Sequence, residues 1–136
     1  MTEFRRVTDH FSVAPQISVE DVARAKQAGF SVIINNRPDG EEPGQPTSDA
    51  IKAACEAQDL IYAHAPVMGP PTRAQAAVTH EALETGAAVL AFCRSGTRSI
   101  HTWALGQALE GAAKDDLFRL GQAAGYDLRP TLSTIA

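Results

Sequence analysis

Two short apolar runs constrain this chain most: Phe30 to Asn35 (FSVIIN) and Ala87 to Phe92 (AAVLAF). Both are of strand length, and neither alternates cleanly between polar and apolar, so neither has an obvious face to leave in water. Such strands belong inside a sheet that is covered on both sides. Helical patterns lie between and after them. Ser18 offers a hydroxyl cap to a helix with Glu20 and Asp21 in its first turn and Gly29 at its exit. Ser48 to Gln58 places Ile51, Ala54 and Cys55 on one helical face. Thr72 and Gln75 have capping-box spacing, for a helix that runs to Glu84 and stops at Gly86.

Helical periodicity returns from Ser99 through Ile100, Trp103, Ala104 and Gln107, and a shorter helix is predicted for Ala113 to Leu120. Phe4 to Val7 and Phe11 to Ala14 predict one or two short strands, and Leu60 to Val67, with His64 inside it, predicts another. The alternation of strand and helix predicts an α/β fold with a mainly parallel central sheet flanked by helices. At 136 residues, a single domain over 1–136 is the expectation.

A formal net charge of -4 gives no general attraction to polyanions, so neither nucleic acid nor an anionic membrane surface is expected as a partner. The first twenty residues lack an apolar signal-peptide core, and no run of about 18 apolar residues occurs, so a cytoplasmic location without membrane insertion is expected. Cys55 and Cys93 are too few for a disulfide framework. His10, His64, His80 and His101 lack close ligand spacing, and no phosphate-loop or dinucleotide fingerprint is present, so no metal or other cofactor is expected.

The chemistry concentrates in Phe92 to Ser99, FCRSGTRS, where the AAVLAF strand gives way to a helix. The turn must reverse within a few residues, and Gly96 is best able to take a positive φ. Amides of such a turn, with a helix amino terminus behind them, form a nest for an anion. Cys93 is then a nucleophile inside the nest, with Arg98 and Arg94 adding positive charge and Ser99 placed to orient the sulfur or the loop. The expected anion-binding set is Arg94, Ser95, Gly96, Thr97 and Arg98. Cys55, on an amphipathic helix without such a turn, is expected to fill the core. His64 and His101 are expected in packing or ordinary polar roles. Asp39, Glu41 and Glu42 lie in the loop NRPDGEEPGQP and are candidate proton donors if that loop folds over Cys93.

HFSVAPQIS, INNRPDGEEPGQP, CRSGTRS and AAGYDL together resemble the DUF442 family, described as the phosphatase-like domain of beta-lactamase-hydrolase-like proteins and in places as a sulfur transferase family. The resemblance spans essentially the whole chain. It implies a three-layer fold related to dual-specificity cysteine phosphatases, with a sheet of four to five strands, Cys93 as nucleophile, Arg94 to Arg98 as the anion loop and Ser99 supporting the thiolate. Two departures stand out. Cysteine phosphatases place one residue more between nucleophile and arginine than the RSGT found here, and the order Cys-Arg-x-Gly-x-Arg is similar to rhodanese-like sulfurtransferase loops. The Asp that dual-specificity phosphatases carry after the strand ending near His64 to Val67 is absent, since MGPPTR holds no carboxylate.

On these grounds the sequence predicts a cysteine-dependent sulfurtransferase, moving sulfane sulfur from thiosulfate or a persulfide through a Cys93 persulfide to a thiol or cyanide. The alternatives are a cysteine phosphatase acting on a phosphoester through a phosphocysteine, and a noncatalytic anion-binding or sulfur-sensing module.

Overall fold

The computed structural model describes residues 2–135. In chain order the elements are β1 (Arg5–Arg6), β2 (Phe11–Ala14), α1 (Val19–Gln27), β3 (Val32–Asn35), α2 (Ser48–Ala57), β4 (Ile61–His64), α3 (Arg73–Glu84), β5 (Val89–Phe92), α4 (Thr97–Leu109), α5 (Lys114–Ala123) and α6 (Arg129–Leu132). The sheet has five strands in the order β1-β2-β5-β3-β4, with β1 antiparallel to β2 and every other pairing parallel.

The two apolar runs become β3 and β5, two of the three inner strands, and all four residues of each are buried. Side-chain alternation divides them between two cores. Val32, Ile34, Val89 and Ala91 pack with Ile100, Trp103, Ala104 and Leu117, whereas Ile33, Leu90 and Phe92 pack with Ile17, Val22, Ile51 and Cys55. Crossover handedness explains which helices lie where. The connection through α1 runs from β2 across to β3, and the one through α3 returns from β4 to β5 in the opposite direction. Right-handed crossovers therefore put α1 and α3 on opposite faces.

Local chemistry matches the predicted boundaries closely. Ser18 and Asp21 make a reciprocal capping box for α1, and Thr72 and Gln75 make another for α3. Helix α2 is capped by Thr47, because the Ser48 side chain turns inward to Tyr62, with 2.6 Å between the hydroxyl oxygens. Helix α4 begins at Thr97, two residues before the expected Ser99, since Gly96 at φ 91° already completes the reversal. Helix α6 lies beyond the last helix predicted from the sequence and closes over α4 and α5.

The strand order reverses at β5, which lies between β2 and β3. Ligand sites of open parallel sheets form beyond the carboxyl ends of strands at such a reversal. Cys93 follows β5 there, beside Asn36 and Arg37 after β3 and Gln16 after β2.

Candidate active site

The reversal after Phe92 is built around Gly96. A Cβ at that position would come within 2.3 Å of the Tyr126 hydroxyl, so both the positive φ and the close approach require glycine. The Gly96 amide is turned inward and donates to Cys93 Sγ at 3.1 Å. Gly96 gives α4 no side-chain cap, and the Thr97 amide reaches only the Ser95 hydroxyl at 3.5 Å, so the amino terminus can receive an anion. On the other side of the turn, the Tyr126 hydroxyl donates to Ser95 O at 2.9 Å and accepts from Arg5 Nη1 at 3.2 Å.

Arg98 folds back across the loop. Its guanidinium grips Glu41 through two bonds of 2.8 Å, Nη1 to Oε2 and Nη2 to Oε1, and Nη1 also donates to Val67 O at 2.9 Å. The Glu41 bonds, and more weakly the neighbouring Cys93 sulfur, push the Arg98 pKa above its ordinary value against the effect of burial. Arg37 holds the acidic loop from beneath. It is only 1% exposed, and it donates to Glu41 Oε1 at 2.8 Å, Glu42 Oε1 at 2.9 Å and Gln16 Oε1 at 3.0 Å. The Glu41 carboxyl is consequently drawn down to about 2, principally by Arg98 and then, against desolvation, by Arg37. Arg37 and Arg94 likewise lower Glu42.

The structure brings Cys93, Gly96, Arg98 and Glu41 together and separates other expected residues from them. Arg94 is exposed, its Nη2 lying 3.9 Å from Glu42 Oε2, and the Ser95 and Thr97 hydroxyls pair with each other at 3.0 Å on the exposed side of the turn. Ser99 is buried, but its hydroxyl donates to Asn36 Oδ1 at 2.8 Å; helix α4 aims it at the end of β3, where it ties two sheet ends together. Asp39 Oδ1 accepts from the Ser48 amide at 2.8 Å, a bond that secures the start of α2. His64 Nε2 pairs with Arg37 O at 2.8 Å, and His101 Nδ1 with Thr131 Oγ1 at 2.6 Å. Cys93, expected as the nucleophile of the nest, has no exposed surface, and the Arg98–Glu41 pair lies beside it. Cys55 is buried as expected, and burial pushes its thiol up to about 11.

Sequence reasoning missed Arg37, Asn36 and Tyr126. Arg37 and Asn36 do carry a signal, because polar residues directly after a buried apolar strand lie at the end of the sheet where sites form. Tyr126 reaches the loop from 31 residues away and has no comparable local signature.

The arrangement is a thiol inside an amide turn, at the mouth of a helix, with a forked cation beside it. Residues 3–110 match the family model described as beta-lactamase hydrolase-like protein, phosphatase-like domain. A beta-lactamase hydrolase-like protein of Agrobacterium fabrum is 37% identical over 126 residues, which is 90% of this chain but 29% of that protein. The chain thus spans under a third of the length of the curated relatives it matches. Among solved structures, a candidate phosphatase from Neisseria meningitidis superposes with a TM-score of 0.81 at 31% identity, covering 96% of this chain and 94% of that one. A mouse protein described as a candidate dual specificity phosphatase gives a TM-score of 0.67 at 16% identity, covering 97% and 85%, a likeness of fold alone.

Proposed function

Because the chain belongs to the family of phosphatase-like domains of beta-lactamase hydrolase-like proteins, we propose that it hydrolyses phosphate monoesters with Cys93 as the nucleophile. The observation that carries this reading is the Cys93–Arg98 turn itself, with the Gly96 amide on the sulfur and an uncapped helix start behind it. The sequence expectation of sulfane-sulfur transfer rested on the shortened loop and the missing Asp. The solved relatives of like fold are described as phosphatases, which favours the alternative reading.

Anion entry begins with an exchange. Glu41 releases the Arg98 fork, and the three phosphoryl oxygens take its place, held by Arg98 and the amides of the turn. The Cys93 thiolate attacks phosphorus; the S–P bond forms as the ester P–O bond breaks, and the leaving oxygen takes its proton from water. A second water then attacks phosphorus and the S–P bond breaks. Inorganic phosphate leaves, the water's proton passes to solvent, and the thiolate is restored. The net reaction is one monoester and one water to one alcohol or phenol and phosphate. Asp39, Glu41 and Glu42 contribute no proton in this scheme, since Asp39 accepts from the Ser48 amide at the start of α2 and both glutamates stay on Arg37 after Arg98 turns to the substrate.

The test is phosphate release from an aryl phosphate by the purified protein, with intact-mass detection of a phosphoryl adduct. We expect release to vanish in Cys93→Ser and the adduct to map to Cys93. Thiocyanate formation from thiosulfate and cyanide, with no phosphate release, would reinstate sulfur transfer.

A further inference from the structure

Asn36 is the first residue after β3, and it has no exposed surface. Burying an amide costs free energy unless its polar atoms are bonded, and an aliphatic side chain fills the same space without that demand. Here each polar atom of the residue is engaged, by three segments that meet around the cysteine turn. Its main-chain N donates to Phe92 O at 2.8 Å, directly before Cys93, and its main-chain O accepts from Val67 N at 2.9 Å. Nδ2 donates to Ala65 O at 2.9 Å, and Oδ1 accepts from the Ser99 hydroxyl at 2.8 Å. A carbonyl such as Ala65 O can only accept, so a single orientation of the amide satisfies both partners, and the Ser99 proton is committed to it.

We infer that Asn36 is the positioning residue for Arg98 in the phosphatase reaction proposed above, and that it acts on Arg98 from two sides. The first side is the guanidinium. Val67 O receives Arg98 Nη1 at 2.9 Å, and the Asn36 bonds to Ala65 and Val67 fix where that carbonyl stands. The second side is the main chain. Ser99 follows Arg98 directly, and its bond to Oδ1 fixes the first turn of α4, from which Arg98 projects. Glu41 also holds the guanidinium, but it is the partner that the mechanism exchanges for the anion. Val67 O stays on Nη1 through that exchange, so Arg98 keeps a fixed support while it takes up the phosphoryl oxygens. A donor held in place beforehand needs no rearrangement as charge develops on those oxygens. Asn36 thereby ties the end of β5, the segment after β4 and the start of α4 into one frame around the cation.

The inference rests on the phosphatase reading, so the experiment reads the two separately. Calorimetry measures inorganic phosphate binding to the wild type, Asn36→Leu and Ser99→Ala, and initial rates give KM and kcat for an aryl phosphate. Asn36→Leu keeps the branched shape, adds no charge and removes both side-chain bonds; Ser99→Ala removes one of them. We expect phosphate to bind about three- to tenfold more weakly in Asn36→Leu and about two- to threefold more weakly in Ser99→Ala, with KM rising in step. Ile33→Val, buried in the same strand, is the control for stability: it should lower the urea midpoint and leave phosphate affinity and KM as in the wild type. Wild-type phosphate affinity in either folded variant overturns the positioning role alone. A lower kcat in Ser99→Ala at unchanged affinity overturns it too, because Ser99 would then act on the sulfur. If Asn36→Leu does not fold, Ser99→Ala, which loses only a hydroxyl, decides by itself. Failure of the wild type to bind phosphate overturns the anion cradle, and with it the phosphatase reading.

Discussion

Glu41 has two roles that oppose each other. As a carboxylate it neutralises Arg37, which is buried, and it also occupies the Arg98 fork that the proposed mechanism gives to the substrate anion. Glu41→Gln should therefore weaken the fold and ease substrate entry together. The Arg98–Glu41 pair is partly exposed, with 23% and 30% of the side chains accessible, so its net worth is that of a well-formed surface pair. We expect KM for an aryl phosphate to fall about two- to fivefold, measured by initial rates; an unchanged or higher KM would show that Glu41 does not compete with substrate. The same substitution tests the acid limb of stability. A carboxyl whose folded pKa is depressed contributes stability above its unfolded pKa and loses that contribution as pH falls through the folded one. For Glu41 the window runs from the ordinary 4.5 down to about 2. Urea midpoints should drop more steeply across it in the wild type than in Glu41→Gln, and parallel slopes would remove Glu41 as a source of acid sensitivity.

The turn from Cys93 to Arg98 and the β3–α2 loop are the elements that make the site, and they were legible to different degrees. The turn has local causes: a buried strand, a glycine that can adopt φ 91°, and a helix that starts immediately after it. Its position was therefore readable from FCRSGTRS alone. The loop's closure over the turn has no local cause. It depends on a buried arginine from the end of β3 and on bonds between Glu41 and Arg98, 57 residues apart. Gly96→Ala tests the turn at this scale. It forces a non-glycine residue into left-handed backbone and drives a methyl against Tyr126, so we expect a loss of at least about 2 kcal/mol in urea unfolding. Tyr126→Phe alone gives up the bond to Ser95 O and should cost about 1 kcal/mol. In the double variant the hydroxyl clash is gone but the backbone strain remains, so the loss should be smaller than the sum of the two. Strict additivity would show that the Tyr126 hydroxyl does not set the tightness of the turn.

At the scale of the whole molecule, the decisive property is a sheet buried on both faces. Ile33 and Ile34 are adjacent in β3 and enter different cores, and both have no exposed surface. Each should lose about 2–5 kcal/mol when truncated to Ala. Ile61 on the edge strand β4 is 66% exposed, so its truncation should stay within about 0.5 kcal/mol. Urea denaturation of the three variants measures this pattern, and a small loss at either Ile33 or Ile34 would mean that one face is poorly covered. This two-sided burial was already implied by the unbroken apolar runs, and the local sequence likewise implied the Ser18 cap, the Thr72–Gln75 capping box, the glycine exits and Cys93 at the strand end, because each depends on residues within a few positions of one another. The chain by itself therefore determined the layered α/β architecture and the position of the candidate turn. Tertiary packing alone decided that Ser99 bonds to Asn36, that Arg37 anchors the acidic loop and that Glu41 rests on Arg98. The physical reason is that charges and cavities depend on which distant surfaces meet, whereas strands, helices and turns depend chiefly on their own neighbours.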